Sequence, residues 1–210
     1  MKNFYFVRHG ESVANALKQS HETTNDILSG KGKEQAGIVS KRLKHILIER
    51  VVCSTMNRTR ETAAIINAEL KAPIEFLDIL QEVKRPTILE GLEHDDPKYI
   101  SFDEIFNRRK YEENWRFSDE ENFIDRKNRG LRVLEYLLNL SETETLVVAH
   151  NGIIKTIVAT MLFGKEMSPR EYYAWLELTR MNNTGVTECL WHSQKNKWKL
   201  MTWNDQTHLG

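Results

Sequence analysis

The sequence predicts an α/β protein: a three-layer α/β/α sandwich with a mostly parallel central sheet and a small helical insertion. Three observations point there. Short β-prone apolar runs alternate with segments of helical periodicity; three of the runs end in reactive polar residues; and one charged, proline-broken stretch interrupts the alternation. In such sheets ligands sit beyond the carboxyl ends of the parallel strands, so chemistry is expected at those run ends.

Phe4-Tyr5-Phe6-Val7 opens the pattern and ends at Arg8-His9-Gly10, where glycine permits a sharp turn. Ser29 precedes a helix carrying Ala36, Val39, Leu43 and Ile46 or Leu47 at helical spacing. Val51-Val52-Cys53 forms a second strand running into Ser54, and the following helix places Ala63, Ile66 and Leu70 on one face before Pro73. Ile74 to Leu77 reads as another short strand. From Val83 to Gly130 the character changes, with Pro86 and Pro97 as breaks and charged amphipathic helices expected around Tyr99 to Trp115 and Phe123 to Leu140. Thr145 to Ala149 is the most β-branched apolar run and empties into His150-Asn151-Gly152. A broadly apolar helix from Ile153 to Leu162 follows, and Pro169 opens one more. Two alternating strands, Gly185 to His192 and Trp198 to Trp203, close the chain around Gln194-Lys195-Asn196.

Composition narrows the function classes. The 210 residues carry 30 Lys+Arg against 30 Asp+Glu, so a broad basic face for nucleic acid or acidic lipid is not expected, and any anion site must be built locally. A 40% hydrophobic fraction suffices for a core. Cys53 and Cys189 lie in strand-like apolar runs without metal-ligand spacing, which reads as two buried thiols in a reducing, cytoplasmic compartment. No apolar run approaches the ~18 residues of a membrane span. Walker A, HExxH, GxSxG and zinc patterns are absent from the sequence, and no metal or other cofactor is expected.

Arg8-His9-Gly10, Ser54 leading to Arg58, and His150-Asn151-Gly152 all stand at strand ends. If those strands are neighbours, two imidazoles and two guanidinium groups share one crevice; if they are not, the arginines are ordinary surface ion pairs. The first arrangement suits a phosphoryl group, because arginine donates bidentately to non-bridging oxygens and helix starts after Ser54 and His150 point backbone N–H groups at the same anion. A histidine can also attack phosphorus and split one hard displacement into two easier ones.

These residues resemble the signatures of the histidine phosphatase superfamily, the phosphoglycerate mutase-like proteins of branch 1. Arg8-His9-Gly10-Glu11-Ser12 with Asn15 is similar to its RHGxS…N motif. Leu28-Ser29 with Gly32, Gln35 and Ala36, then Ser54 through Arg58 to Thr62-Ala63, then Glu82, then Val147 to Gly152, and Asn183-Thr184-Gly185 follow in family order. The resemblance implies a single domain over 1–210 with a helical cap at roughly 83–122 over the active site. It implies that His9 is the nucleophile, that Arg8, Arg58 and His150 hold the phosphoryl oxygens, and that Glu82 protonates the leaving oxygen. Ser12, Asn15, Asn151 and Arg85 are expected to contact substrate. Glu11, Glu61 and Glu90 are rival carboxylates. Lys84 and Arg85 either meet a second anionic group or pair with Glu90 or Glu93.

Two departures bear on the reaction. Val83-Lys84-Arg85-Pro86-Thr87-Ile88-Leu89-Glu90-Gly91 replaces the aromatic-Gly-x-Trp-Glu-Gly segment of the mutases, and Thr23-Thr24-Asn25-Asp26 replaces their Gly-Trp-x-Asp stretch. The short tail from Asn204 to Gly210 adds little charge with which to retain a doubly phosphorylated intermediate. Metal-independent hydrolysis of a phosphorylated metabolite or phosphoprotein is therefore expected, ahead of mutase chemistry or a silent phospho-ligand binding protein. Substrate identity and oligomeric state are left open.

Overall fold

The computed structural model describes residues 1–17, 24–93 and 95–210, so Thr23 of the departing stretch lies outside the described residues. The chain runs β1 (Lys2–Arg8), α1 (Val13–Ala16), α2 (Gly30–Leu43), β2 (Arg50–Ser54), α3 (Asn57–Leu70), β3 (Ile74–Leu77), α4 (Pro97–Arg109), α5 (Phe123–Asn139), β4 (Glu144–Ala149), α6 (Asn151–Phe163), α7 (Pro169–Leu178), β5 (Val186–His192) and β6 (Lys197–Asp205).

The strands form one six-stranded sheet in the order β3-β2-β4-β1-β5-β6. β1, β2, β3 and β4 run parallel, and β5 and β6 add antiparallel to one side. Period-two side-chain alternation explains why the parallel strands read as unbroken apolar runs, since both faces are covered. Phe4, Phe6, Val147 and Ala149 pack with Val133, Leu137, Ile154 and Ile157 of α5 and α6 on one face. Tyr5, Val7, Leu146 and Val148 pack with Val39, Leu43, Ala63 and Ile66 of α2 and α3 on the other. The chain thus sends its helices to one face after β1 and β2 and to the opposite face before and after β4. β1 and β4 are neighbours, so this change of face makes their carboxyl ends a topological switch point, the place where such sheets bind ligands.

Local chemistry fixes the helix ends. Ser29 accepts from the Gly32 amide, and Asn122 with Asp125 and Ser168 with Glu171 form reciprocal capping boxes. α4 ends at Arg109, short of the expected Trp115, where Lys110 buries its stem and ties its ammonium to Asn107 at 2.9 Å and to Glu177 of α7. Aromatic residues of this segment pack together: Phe102 lies 5.6 Å from Phe106 and 5.1 Å from Phe117, and Phe106 lies 5.5 Å from Tyr173. Cys53 and Cys189 are buried free thiols. Among the described residues, no helix is long and apolar enough to cross a membrane.

The turn after β1 is pressed against the start of α2. A Cβ on Gly10 would stand 2.3 Å from the Gly32 carbonyl oxygen, and one on Gly32 would stand 2.0 Å from that of Glu11. Ser29 Oγ donates to Glu11 Oε1 at 2.9 Å, and Gln35 Oε1 accepts from the Glu11 amide at 2.8 Å. The Leu28-to-Ala36 motif is therefore a backstop for the loop bearing His9. Gly32→Ala is expected to lower stability by about 2 kcal/mol or more through this backbone clash. Gly37→Ala, in the same helix with open space at its Cβ, should be neutral or stabilising by about 0.5–1 kcal/mol. Urea denaturation of the two variants checks the contrast.

Candidate active site

Three parallel strands deliver the polar residues. The β1–β4 register sets Arg8 against Ala149, and the β4–β2 register sets Val148 against Cys53, so the ends of β2, β4 and β1 lie side by side. The His9 amide donates to the Ala149 carbonyl at 3.0 Å, extending the ladder one step beyond the strand. His9 and His150 come within 5.1 Å between ring centroids at an interplanar angle of 62°. Arg58, one residue into α3, is fully buried and donates from Nε to His9 Nε2 at 3.2 Å. His9 Nδ1 lies 2.7 Å from the Gly10 carbonyl oxygen, which can only accept. That contact sets the tautomer: the proton sits on Nδ1 and the lone pair on Nε2.

Arg8 is aimed by fixed acceptors. Its Nη1 donates to the Met181 carbonyl at 2.8 Å and its Nη2 to Asn15 Oδ1 at 3.5 Å. The same Asn15 oxygen accepts from the Ser12 amide and from Asn183 Nδ2. Ser12 is buried and its hydroxyl accepts from the Asn15 amide, so the pair forms the capping box of α1. The structure thus gives Ser12 and Asn15 local work in shaping the turn and orienting Arg8.

Glu82 reaches the same end of the sheet from the segment after β3. Its Oε1 accepts from the Val83 and Ile153 amides at 2.8 and 3.0 Å, and its Oε2 from the Gly152 amide at 3.0 Å. His150 makes no side-chain cap, so the Glu82 carboxylate caps α6 from a distant segment. This corrects the expectation that the α6 amides stand open to an anion, since two of them are already paired. Gly152 is required by the same contact: a Cβ there would meet Glu82 Oε1 at 2.6 Å.

The remaining expected residues divide. Asn151 is the first residue of α6, and its Oδ1 is buried without a hydrogen-bond partner among the described residues. Arg85 is exposed and donates to the Tyr99 hydroxyl at 3.2 Å, a contact with α4. Lys84 pairs with Asp119 at 2.9 Å, away from Glu90 and Glu93. Of the rival carboxylates, Glu11 is held by Ser29 and Lys31, and Glu61 accepts from the Leu28 amide at 3.2 Å. Glu90 is exposed.

Several supporting residues carried no expectation of a site role. Asn183 Nδ2 donates to the His9 carbonyl at 3.0 Å as well as to Asn15, joining the two loops. Thr62 accepts from the Gly10 amide at 3.1 Å and donates to the Arg58 carbonyl at 2.7 Å. Buried Arg129 of α5 donates to the Gln81 carbonyl at 2.7 Å and to Glu121 at 2.5 Å, bracing the segment just before Glu82. Asn183 and Thr62 do lie within motifs quoted above, but pattern alone could not say what they touch.

Burial, then the neighbouring His9, Arg58, Arg8 and Arg129, hold His150 well below the ordinary imidazole value of 6.5. The unfolded chain therefore binds a proton at this site that the folded chain refuses, and folding stability falls as pH drops below 6.5. His150→Gln should show a shallower loss of stability than wild type between about pH 6.5 and 5. Urea titrations across that range measure the difference in slope.

Comparison with known proteins places this arrangement. The family model "Histidine phosphatase superfamily (branch 1)" matches residues 4–206. An Erwinia tasmaniensis protein described as a "Probable phosphoglycerate mutase GpmB" is 30% identical over 77% of this chain and 75% of its own length. The Bacillus stearothermophilus YhfR structure superposes with a TM-score of 0.84 at 23% identity, covering 100% of both chains. An Entamoeba histolytica phosphoserine phosphatase in complex with 3-phosphoglyceric acid superposes at 0.78 with 22% identity, covering 100% of both chains. A model matching nearly the whole chain, supported by a relative at this identity, establishes that the protein is an enzyme of the histidine phosphatase superfamily, branch 1.

Proposed function

We propose that this protein is a metal-independent phosphatase that hydrolyses phosphomonoesters through phosphohistidine at His9. The observation that carries the reading is the polarised His9 ring. Gly10 O holds the proton on Nδ1, and the Nε2 lone pair sits 3.2 Å from the Arg58 guanidinium and next to the His150 ring. A phosphoryl group entering beside Nε2 takes over that Arg58 donor, with Arg8 and Arg58 neutralising the charge that phosphoryl transfer concentrates on the equatorial oxygens.

In the first step Nε2 attacks phosphorus, the ester P–O bond breaks, and the leaving oxygen takes a proton from Glu82. Among the described residues Oε1 accepts from two amides and Oε2 from that of Gly152, so a protonated Glu82 keeps Oε1 as the carbonyl oxygen and carries the proton on Oε2. In the second step the Glu82 carboxylate takes a proton from water as the water oxygen attacks phosphorus, and the P–N bond breaks to regenerate His9.

Hydrolysis is favoured over transfer to an acceptor by the Val83-to-Gly91 segment, which stands in place of the aromatic-Gly-x-Trp-Glu-Gly stretch of the mutases. The substrate class is a small phosphorylated molecule, with the 83–122 segment acting as a cap within the single domain. Solved neighbours include a mycobacterial glucosyl-3-phosphoglycerate phosphatase crystallised with VO3, a name that fits this class. The free buried thiols support a cytoplasmic location.

Wild type should release phosphate from para-nitrophenyl phosphate and from members of a phosphometabolite panel, with label passing to solvent and not to an acceptor phosphate. His9→Ala should abolish both turnover and acid-labile phosphoenzyme; turnover surviving that substitution rules His9 out as nucleophile. Glu82→Gln should lower kcat by about 10²–10⁴-fold with little change in KM, most severely for esters with poor leaving groups. The rate should peak at acidic to neutral pH, and a rate still climbing well above neutrality contradicts Glu82 as the acid.

A further inference from the structure

Ser54 closes β2 and is fully buried, as is His150. Its hydroxyl oxygen lies 2.9 Å from His150 Nε2 and accepts from the Met56 amide at 3.4 Å. The other ring nitrogen, His150 Nδ1, is buried and has no hydrogen-bond partner among the described residues. We propose that Ser54 is a positioning residue that sets the tautomer of His150, holding its proton on Nδ1 so that the ring presents an N–H, and not a lone pair, to a phosphoryl oxygen. The proposal deepens the phosphatase reading and rests on it for the identity of the anion.

Hydrogen-bond accounting favours this tautomer. A serine hydroxyl can donate or accept, so two arrangements fit the 2.9 Å contact. If Nε2–H donated to Ser54, the serine proton would have no acceptor among the described residues. Nδ1 would then carry a lone pair with no donor within hydrogen-bond distance among the described residues. Two buried polar groups would be stranded. If instead Ser54 O–H donates to Nε2, the Met56 amide still fills the serine's acceptor site and only Nδ1–H is left over. An anionic oxygen satisfies that last group, and a lone pair in its place would repel the same oxygen.

The two histidines are then set in opposite senses by different partners. At His9 a backbone carbonyl takes the Nδ1 proton and frees the Nε2 lone pair for attack. At His150 a hydroxyl supplies a proton to the Nε2 lone pair and leaves Nδ1–H for binding. The two partners differ in how readily they can be removed, because a carbonyl cannot be substituted by mutation and a serine can.

Long-range 15N–1H correlation spectra of histidine-labelled, substrate-free protein test the assignment without turnover. In wild type, His150 Nδ1 should be pyrrole-like and Nε2 pyridine-like; the reverse pattern overturns the proposal. Ser54→Ala should move the ring toward the Nε2–H form, weaken binding of orthophosphate, and lower kcat/KM by about 10- to 100-fold. Ser54→Thr, which keeps the hydroxyl, should restore the wild-type spectrum and most of the activity. An unchanged His150 tautomer in Ser54→Ala overturns the assignment even if activity falls. Should Ser54→Ala fail to fold, the wild-type and Ser54→Thr spectra still decide. Wild type inactive on every phosphate ester would refute the phosphatase reading and leave the tautomer result standing by itself.

Discussion

The arrangement of this molecule turns on placing permanent positive charge inside a protein. Arg58 is fully buried, in a structure where a guanidinium without partners is costly. Its surroundings are built to make that position tenable. Nε donates to His9, Nη2 lies 3.6 Å from the Met56 sulfur, and the first turn of α3 is locked by Thr59 and Thr62, whose hydroxyls bond the Met56 and Arg58 carbonyls. The phosphoryl group proposed to bind among Arg8, Arg58 and the two imidazoles would bring further negative charge to this buried guanidinium.

The neighbouring loops follow from that requirement. Arg8 is aimed by Met181 O and Asn15, and Asn183 ties Asn15 to the carbonyl of the proposed nucleophile. The chain between α7 and β5 is therefore part of the site although none of its side chains is expected to touch phosphorus. Lys155 of α6 holds this strap from the other side by donating to the Leu176 and Thr179 carbonyls. Rigid placement of this kind is what phosphoryl transfer asks of a protein, since positioning and electrostatics account for most of the catalysis.

Glu82 shows how one contact can serve both fold and chemistry. It closes the first amides of α6, which holds His150 at the helix start, and it is the carboxylate proposed to protonate the leaving oxygen. Gly152 is the condition for both, because any side chain there displaces the carboxylate. A helix capped by a residue from a distant segment also couples the stability of that helix to the segment leading into the 83–122 region.

Much of this was legible in the order of residues. Apolar runs buried on both faces, helical spacing in α2, α3 and α6, and proline at Pro73 and Pro169 marked nearly every element, because period and backbone preference act locally. Arg8, His9, Arg58 and His150 stood out because their residue types at strand ends carry a chemical meaning, and Glu82 stood out only through the family resemblance. The early end of α4 at Arg109 was not visible, since the contact of Lys110 with Glu177 joins residues far apart in the chain. Nor could the sequence show that Glu82 takes the α6 amides, that Arg85 faces Tyr99, or which ring nitrogen of each histidine is held. The sequence alone determined which groups were present and the elements carrying them. Only the parallel pairing of β2, β4 and β1 decided that they meet, because strand order is set by packing between segments that have no contact until the chain has folded.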